Sequence, residues 1–160
     1  VNHVFEVYDY GGEQIVDAHD TMVLHDIHGL LFVVDLGGAD LVILPAHYLH
    51  SCGNFHVYDP ISKILYSGDL GASLGQDYIQ VTDFDAHLRF MEGFHKRYMA
   101  NSRALRAWVR MVRTLDIEII APQHGAYFKG KEMVGRFIDW CDQLECGIDL
   151  YEGLYQVPQK

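Results

Sequence analysis

No apolar run in this chain of 160 residues approaches the ~20 residues needed to span a bilayer, and no signal peptide is visible. Neither membrane insertion nor export is therefore expected. Basic residues are scarce. Twelve Lys and Arg stand against 22 Asp and Glu, which leaves a net charge of −10 with histidine neutral. Nucleic acid and anionic membrane surfaces both need basic patches, so this balance opposes them as partners. Cysteine is sparse as well. Cys52, Cys141 and Cys146 form an odd set without CxxC spacing, which argues against a disulfide framework and a structural zinc site. Cys141 and Cys146 lie five apart, on different faces of an expected helix, and should not pair. Reduced thiols fit a cytoplasmic protein. No internal repeat or low-complexity tract is visible. Histidine is the residue in excess, with ten in the chain, and that points towards a metalloprotein.

The length suits one domain with a real core, and residues 1–160 read as a single domain. Val4 to Tyr8 alternates like a strand, and Gly11-Gly12 should return it as a hairpin through Glu13 to Val16. Residues 17–28 are polar and rich in histidine. Gly29 to Val34 and Leu41 to Ala46 read as buried strands. Phe55 to Tyr58 and Ile64 to Tyr66 should form a hairpin around Asp59-Pro60. Gly71 to Asp83 reads as a long loop of the kind that borders a site.

From Phe84 the apolar period changes to 3.6. Phe84, Leu88, Met91, Phe94, His95 and Tyr98 are expected on one helix face, with a cap at Asp83 or Asp85. Leu105, Trp108, Val109, Val112 and Leu115 mark a second helix, capped near Asn101 or Ser102. Ile117 to Ala121 is expected to be a strand. Met133, Phe137, Ile138, Trp140, Cys141 and Leu144 mark a third helix.

His50, Asp69 and His124 each follow an apolar run, where a strand should end. Two imidazoles and a carboxylate make a ligand set for a borderline metal. A carboxylate has two oxygens and can bridge two ions, so the set points to a dinuclear site with metals ~3.5–4 Å apart. His47 lies three residues before His50 and reads as support for a ligand rather than a ligand itself. Tyr48, Phe55 and Tyr127 could limit solvent access or simply pack. Cys52 reads as a small packing residue in the loop after His50. The alternative for the trio is a surface histidine, an N-cap aspartate and a turn histidine.

Five segments carry a family resemblance: Leu44–Phe55, Tyr58–Pro60, Ile64–Ser73, Phe94–Asn101 and Ala121–Gly125. Together they resemble the diiron domain of flavodiiron proteins, and especially the stand-alone oxygen-binding diiron proteins. The resemblance implies an α/β fold, the metallo-β-lactamase-like αββα sandwich, with two β-sheets. It also implies two iron ions, for which His50 and His124 would each ligate one and Asp69 would bridge. Zinc or manganese would suit the same donors. No catalytic or cofactor-binding residue apart from the metal ligands is expected.

The family also draws ligands from a His-x-Glu-x-Asp block, which this sequence does not contain. Val33 to Asp35 resembles the family's opening strands, whereas Leu36 onward resembles a point well downstream. An internal segment near residues 35–36 is therefore expected to be absent, with a spatial break there. His19-Asp20 and His25-Asp26 with His28 do not match the block in spacing and read as a solvated loop.

The resemblance implies a non-haem diiron protein that binds or senses dioxygen. A dioxygen or nitric oxide reductase drawing on an external electron donor is one alternative, since no flavin domain follows Ile148. A dizinc hydrolase of the same fold is another, and a degenerate scaffold without a complete site is a third. A redox or signalling protein partner and a homodimer complete the expectations.

Overall fold

The turn between Phe55 and Tyr66 shows how local chemistry starts the fold. Asp59 Oδ1 accepts a hydrogen bond from the backbone N–H of Ile61 at 2.9 Å, and Ser62 Oγ donates to Asp59 Oδ2. This aspartate-led turn brings β3 (Phe55–Asp59) against β4 (Ile64–Tyr66). The computed structural model describes residues 33–35 and 40–158 of the chain. They lie in one compact unit, Leu31–Lys160. The expected hairpin at residues 4–16, the histidine-rich stretch at 17–28 and the Asp35–Leu36 junction lie outside the described residues.

Among the described residues there is one six-stranded sheet rather than two sheets. The strands expected at residues 4–8 and 13–16 lie outside the described residues. The order is β1 (Val33–Asp35), β2 (Asp40–Pro45), β3, β4, β5 (Ile119–Ala121) and β6 (Phe128–Lys129). Neighbours are antiparallel except β4 and β5, which are parallel and pair Tyr66 with Ala121. A parallel pair needs a long crossover. Here α1 (Phe84–Tyr98) and α2 (Ser102–Val112) supply it.

The register places Leu44, His56, Tyr58, Leu65, Ile120 and Phe128 on one face of the sheet, and all six are buried. They share a core with α1, α2 and α3 (Lys131–Gln143). Phe128 and Phe137 stack with ring centroids 4.5 Å apart, and Trp108 meets Phe137 edge-on at 6.4 Å. The caps are those the sequence offers. Asp83 accepts from Ala86 N–H at 3.1 Å and Asn101 accepts from Ala104 N–H at 2.9 Å. The α1 stripe is rotated from the expected one. Phe84, His87, Met91 and His95 are buried, while Tyr98 is exposed. A true 3.6-residue stripe from Phe84 runs through His87, which apolar counting skips. Three short elements were not expected: β6, α4 (Ile148–Tyr151) and a 3-10 turn at Glu152–Leu154. All three cysteines are free, with Cys52 exposed and the other two buried.

Three histidines sit in this interior. His56 Nδ1 accepts from the Trp108 indole N–H at 3.0 Å. Burial pushes its imidazole from 6.5 down to about 3. Burial likewise pushes His95 down to about 4 and lowers His87. Between those depressed values and 6.5 the unfolded chain binds protons that the folded chain does not, so stability falls as pH drops below 6.5. The limiting slope is about 1.4 kcal/mol per pH unit for each such histidine. Urea unfolding between pH 7.5 and 4.5 should show this decline. A flat profile would show that these histidines are not held neutral.

Candidate metal centre

Strand polarity assembles the site. β2 is antiparallel to β3, and β3 is antiparallel to β4. β2 therefore runs in the same direction as β4 and β5, and all three C-terminal ends lie at one edge of the sheet. Asp69 follows the end of β4 by three residues and His124 follows the end of β5 by three residues. Because Tyr66 pairs with Ala121, the two ligand candidates leave the sheet at equivalent positions. His50 emerges five residues after β2, at the same edge.

Backbone bonds lock the two later loops together. Ser67 N–H donates to Ala121 C=O at 3.1 Å and Gln123 N–H donates to Gly68 C=O at 2.7 Å. Ser67 Oγ closes the aspartate turn by donating to Leu70 C=O at 2.6 Å. Two residues past Asp69, Gly71 has φ +99°, and a Cβ there would lie 3.2 Å from Phe128 and 3.4 Å from Phe137 and Pro122. Its N–H donates to His95 Nε2 at 2.8 Å, and His95 Nδ1 pairs with Met91 C=O at 2.7 Å. The His124 loop is held from the other side. Ser73 N–H donates to His124 C=O at 3.2 Å and Ala126 N–H donates to Ser73 Oγ at 3.2 Å.

Asp69 Oδ1 is buried and has no hydrogen-bond partner. His124 Nε2 lies 3.7 Å from it, beyond hydrogen-bond range. Ligand bonds of about 2.0–2.2 Å at a tetrahedral angle would put two donor atoms roughly 3.3–3.6 Å apart. The observed separation therefore suits a shared cation better than a direct bond. His50 and Asp69 line one cleft of about 240 Å³ with Ser51, Asn54, Gly68 and Gln123. The His50 ring lies 5.2 Å from that of Tyr98 and 5.8 Å from that of Phe94. Among the described residues, no group of three His, Cys, Asp or Glu side chains is close enough to hold a metal by itself. The donors fit a metal in kind, and the described residues do not by themselves complete a site.

The other expectations near the site divide. His47 is exposed and sets its ring edge-on to Phe55 at 5.1 Å. Tyr48 is exposed, and Phe55 and Tyr127 are half-buried. Tyr127 spends its hydroxyl on Gln80 at 2.8 Å. Sequence reading missed Asn54, whose side-chain amide donates to Leu49 C=O, the peptide just before His50. It also missed Ser73 and the bond from Gly71 to His95. Each acts on backbone groups, and only the helical stripe through His95 carried any signal.

A family model described as ODP family beta lactamase matches residues 10–125. The chain belongs to that family. Its fold is the metallo-β-lactamase-like α/β fold of ODP and flavodiiron cores. Among solved structures, the peroxy diiron species of chemotaxis sensor ODP is 43% identical, with a TM-score of 0.73 over 79% of this chain and 54% of that one. The apo state of chemotaxis sensor ODP from T. denticola is 42% identical, with a TM-score of 0.72 over 79% and 53%. This chain thus spans about half the length of those structures. The flavodiiron protein from Giardia intestinalis is 22% identical, with a TM-score of 0.62 over 70% and 28%, a likeness of fold alone. No curated protein matches the chain. Among the described residues no helix is long and apolar enough to cross a membrane.

Gly125 tests how tightly the His124 loop is fitted. It has φ +92°, and an added Cβ would lie 2.1 Å from Ser73 Oγ and 2.5 Å from Ser73 backbone O. Gly125→Ala should destabilise the fold by about 1–3 kcal/mol in urea unfolding. Removing the Ser73 hydroxyl as well should not restore it, because the backbone oxygen still obstructs. A stable Gly125→Ala single variant would show that the loop is free to move.

Proposed function

We propose that this chain is the oxygen-binding part of a non-haem diiron protein, with His50, Asp69 and His124 among the ligands. The observation that carries this reading is the buried, unpaired Asp69 Oδ1 beside His124 Nε2. The 43% identity to a chemotaxis sensor solved as a diiron species supports iron as the metal and sensing as the role. Two ferrous ions held by imidazole and carboxylate with open positions would bind dioxygen or nitric oxide.

The chain's own part is to place the donors. Asp69, with two carboxylate oxygens, would hold both ions. His50 and His124 would each hold one ion. Further ligands are required, because the sequence lacks the His-x-Glu-x-Asp block that the family resemblance implies. A protein partner that reads the oxygen signal, pairing as a homodimer and a cytoplasmic location belong to the same proposal.

The test uses the full-length protein. It should purify with two irons per chain, gain an optical band on exposure to air, and consume no dioxygen continuously when a reductant is supplied. Sustained consumption would instead assign a reductase, and zinc without an optical band would assign a hydrolase. His50→Ala and His124→Ala should each first lower occupancy of one ion, so that metal analysis reads about one iron per chain. Retention of both irons in either variant would remove that residue from the ligand set.

A further inference from the structure

We propose that His95 is a positioning residue: its neutral ring, protonated at Nδ1, ties the turn that carries Asp69 to helix α1. The inference rests on the reading of Asp69 as a metal ligand.

The argument begins with the two anchors of the turn. Before Asp69, Gly68 C=O accepts from Gln123 N–H at 2.7 Å, which fixes the turn to the loop that carries His124. After Asp69, Gly71 N–H donates to His95 Nε2 at 2.8 Å. The bonds between Ser67 and Leu70 close the turn but tie it to nothing outside itself. His95 is thus the first anchor after the carboxylate, ahead of the bonds of Ser73 N–H to His124 C=O at 3.2 Å and Leu74 N–H to Phe90 C=O at 3.1 Å.

The bond also sets the chemical state of the ring. A backbone N–H can only donate, so Nε2 must be the bare nitrogen and Nδ1 must carry the hydrogen. That hydrogen meets Met91 C=O at 2.7 Å, one helical turn back on α1. Both ring nitrogens are satisfied and the side chain is fully buried. Its ring also packs edge-on against Trp140 at 5.1 Å. Gly71 itself is buried, so no water is at hand to replace His95 as acceptor. Without His95 a buried donor is stranded, and the nearest tie after Asp69 moves out to Ser73 and Leu74.

Three forms of the full chain test this: wild type, His95→Gln, which keeps an acceptor near the position of Nε2, and His95→Met, which fills the space without one. Nitrogen NMR of the wild type should show Nδ1 protonated, Nε2 bare, and a coupling across the hydrogen bond to the Gly71 amide. Amide exchange at Gly71 should be slow in wild type and His95→Gln and fast in His95→Met. Anaerobic titration with ferrous iron should show affinity about tenfold to a hundredfold weaker in His95→Met, with His95→Gln close to wild type. Circular dichroism checks that each form is folded.

A ring protonated at Nε2 would overturn the proposal, as would slow Gly71 exchange in His95→Met. Equal iron affinity in His95→Met and wild type would also overturn it. Failure of the wild type itself to bind ferrous iron would reject the metal reading. The tautomer and the Gly71 exchange would still decide whether His95 holds the turn.

Discussion

A buried carboxylate oxygen without a donor is the constraint around which this structure is organised. Asp69 Oδ1 has no hydrogen bond, and the imidazole 3.7 Å away stops short of making one. Leaving such a group unpaired costs about 1–3 kcal/mol or more for a charged atom. The surrounding bonds keep it there. Ser67, Gly68 and Gly71 all have backbone groups committed, which fixes the path of the turn that carries the side chain. A cation held by Asp69 and His124 would convert that cost into binding energy, which is how a metal site couples to folding.

Strand direction explains why the candidate donors come together. β4 and β5 are parallel, and β2 shares their direction through two antiparallel pairings. The loops that leave their C-terminal ends must then open at one edge. The crossover that makes β4 and β5 parallel is built from α1 and α2, and α1 delivers His95 beneath the aspartate turn. The same helices bury the apolar face of the sheet, so one arrangement supplies both the core and the placement of the donors.

The legible parts of this architecture were those written in local pattern. Asp59-Pro60 marks the hairpin, Asp83 and Asn101 mark helix starts, the apolar stripe of α2 matches its buried face closely, and that of α3 shares Phe137, Ile138 and Cys141 with its buried face but misses Val134. The strand-end positions of His50, Asp69 and His124 were readable because each follows an apolar run. Other parts depend on distant partners. His87 and His95 complete a buried stripe that polarity counting passes over, since a histidine is tolerated there only once Tyr78 or Gly71 meets it. Ser73 reads as an ordinary loop residue until its hydroxyl finds the Ala126 amide 53 positions away. β6 has two residues, too few for alternation to show. The N-terminal hairpin and the internal junction were expected at residues 4–16 and 35–36, outside the described region.

The claim on which the account turns is that Asp69 bridges two cations through its charge. Asparagine at that position keeps the shape and caps a turn equally well, so a purely structural aspartate would lose well under ~1 kcal/mol. The decisive measurement is iron per chain in Asp69→Asn of the full-length protein, with folding confirmed by circular dichroism. The account predicts a folded variant that has lost most of its iron, because a neutral amide bridges two cations poorly. A folded Asp69→Asn protein with its full complement of iron would contradict it.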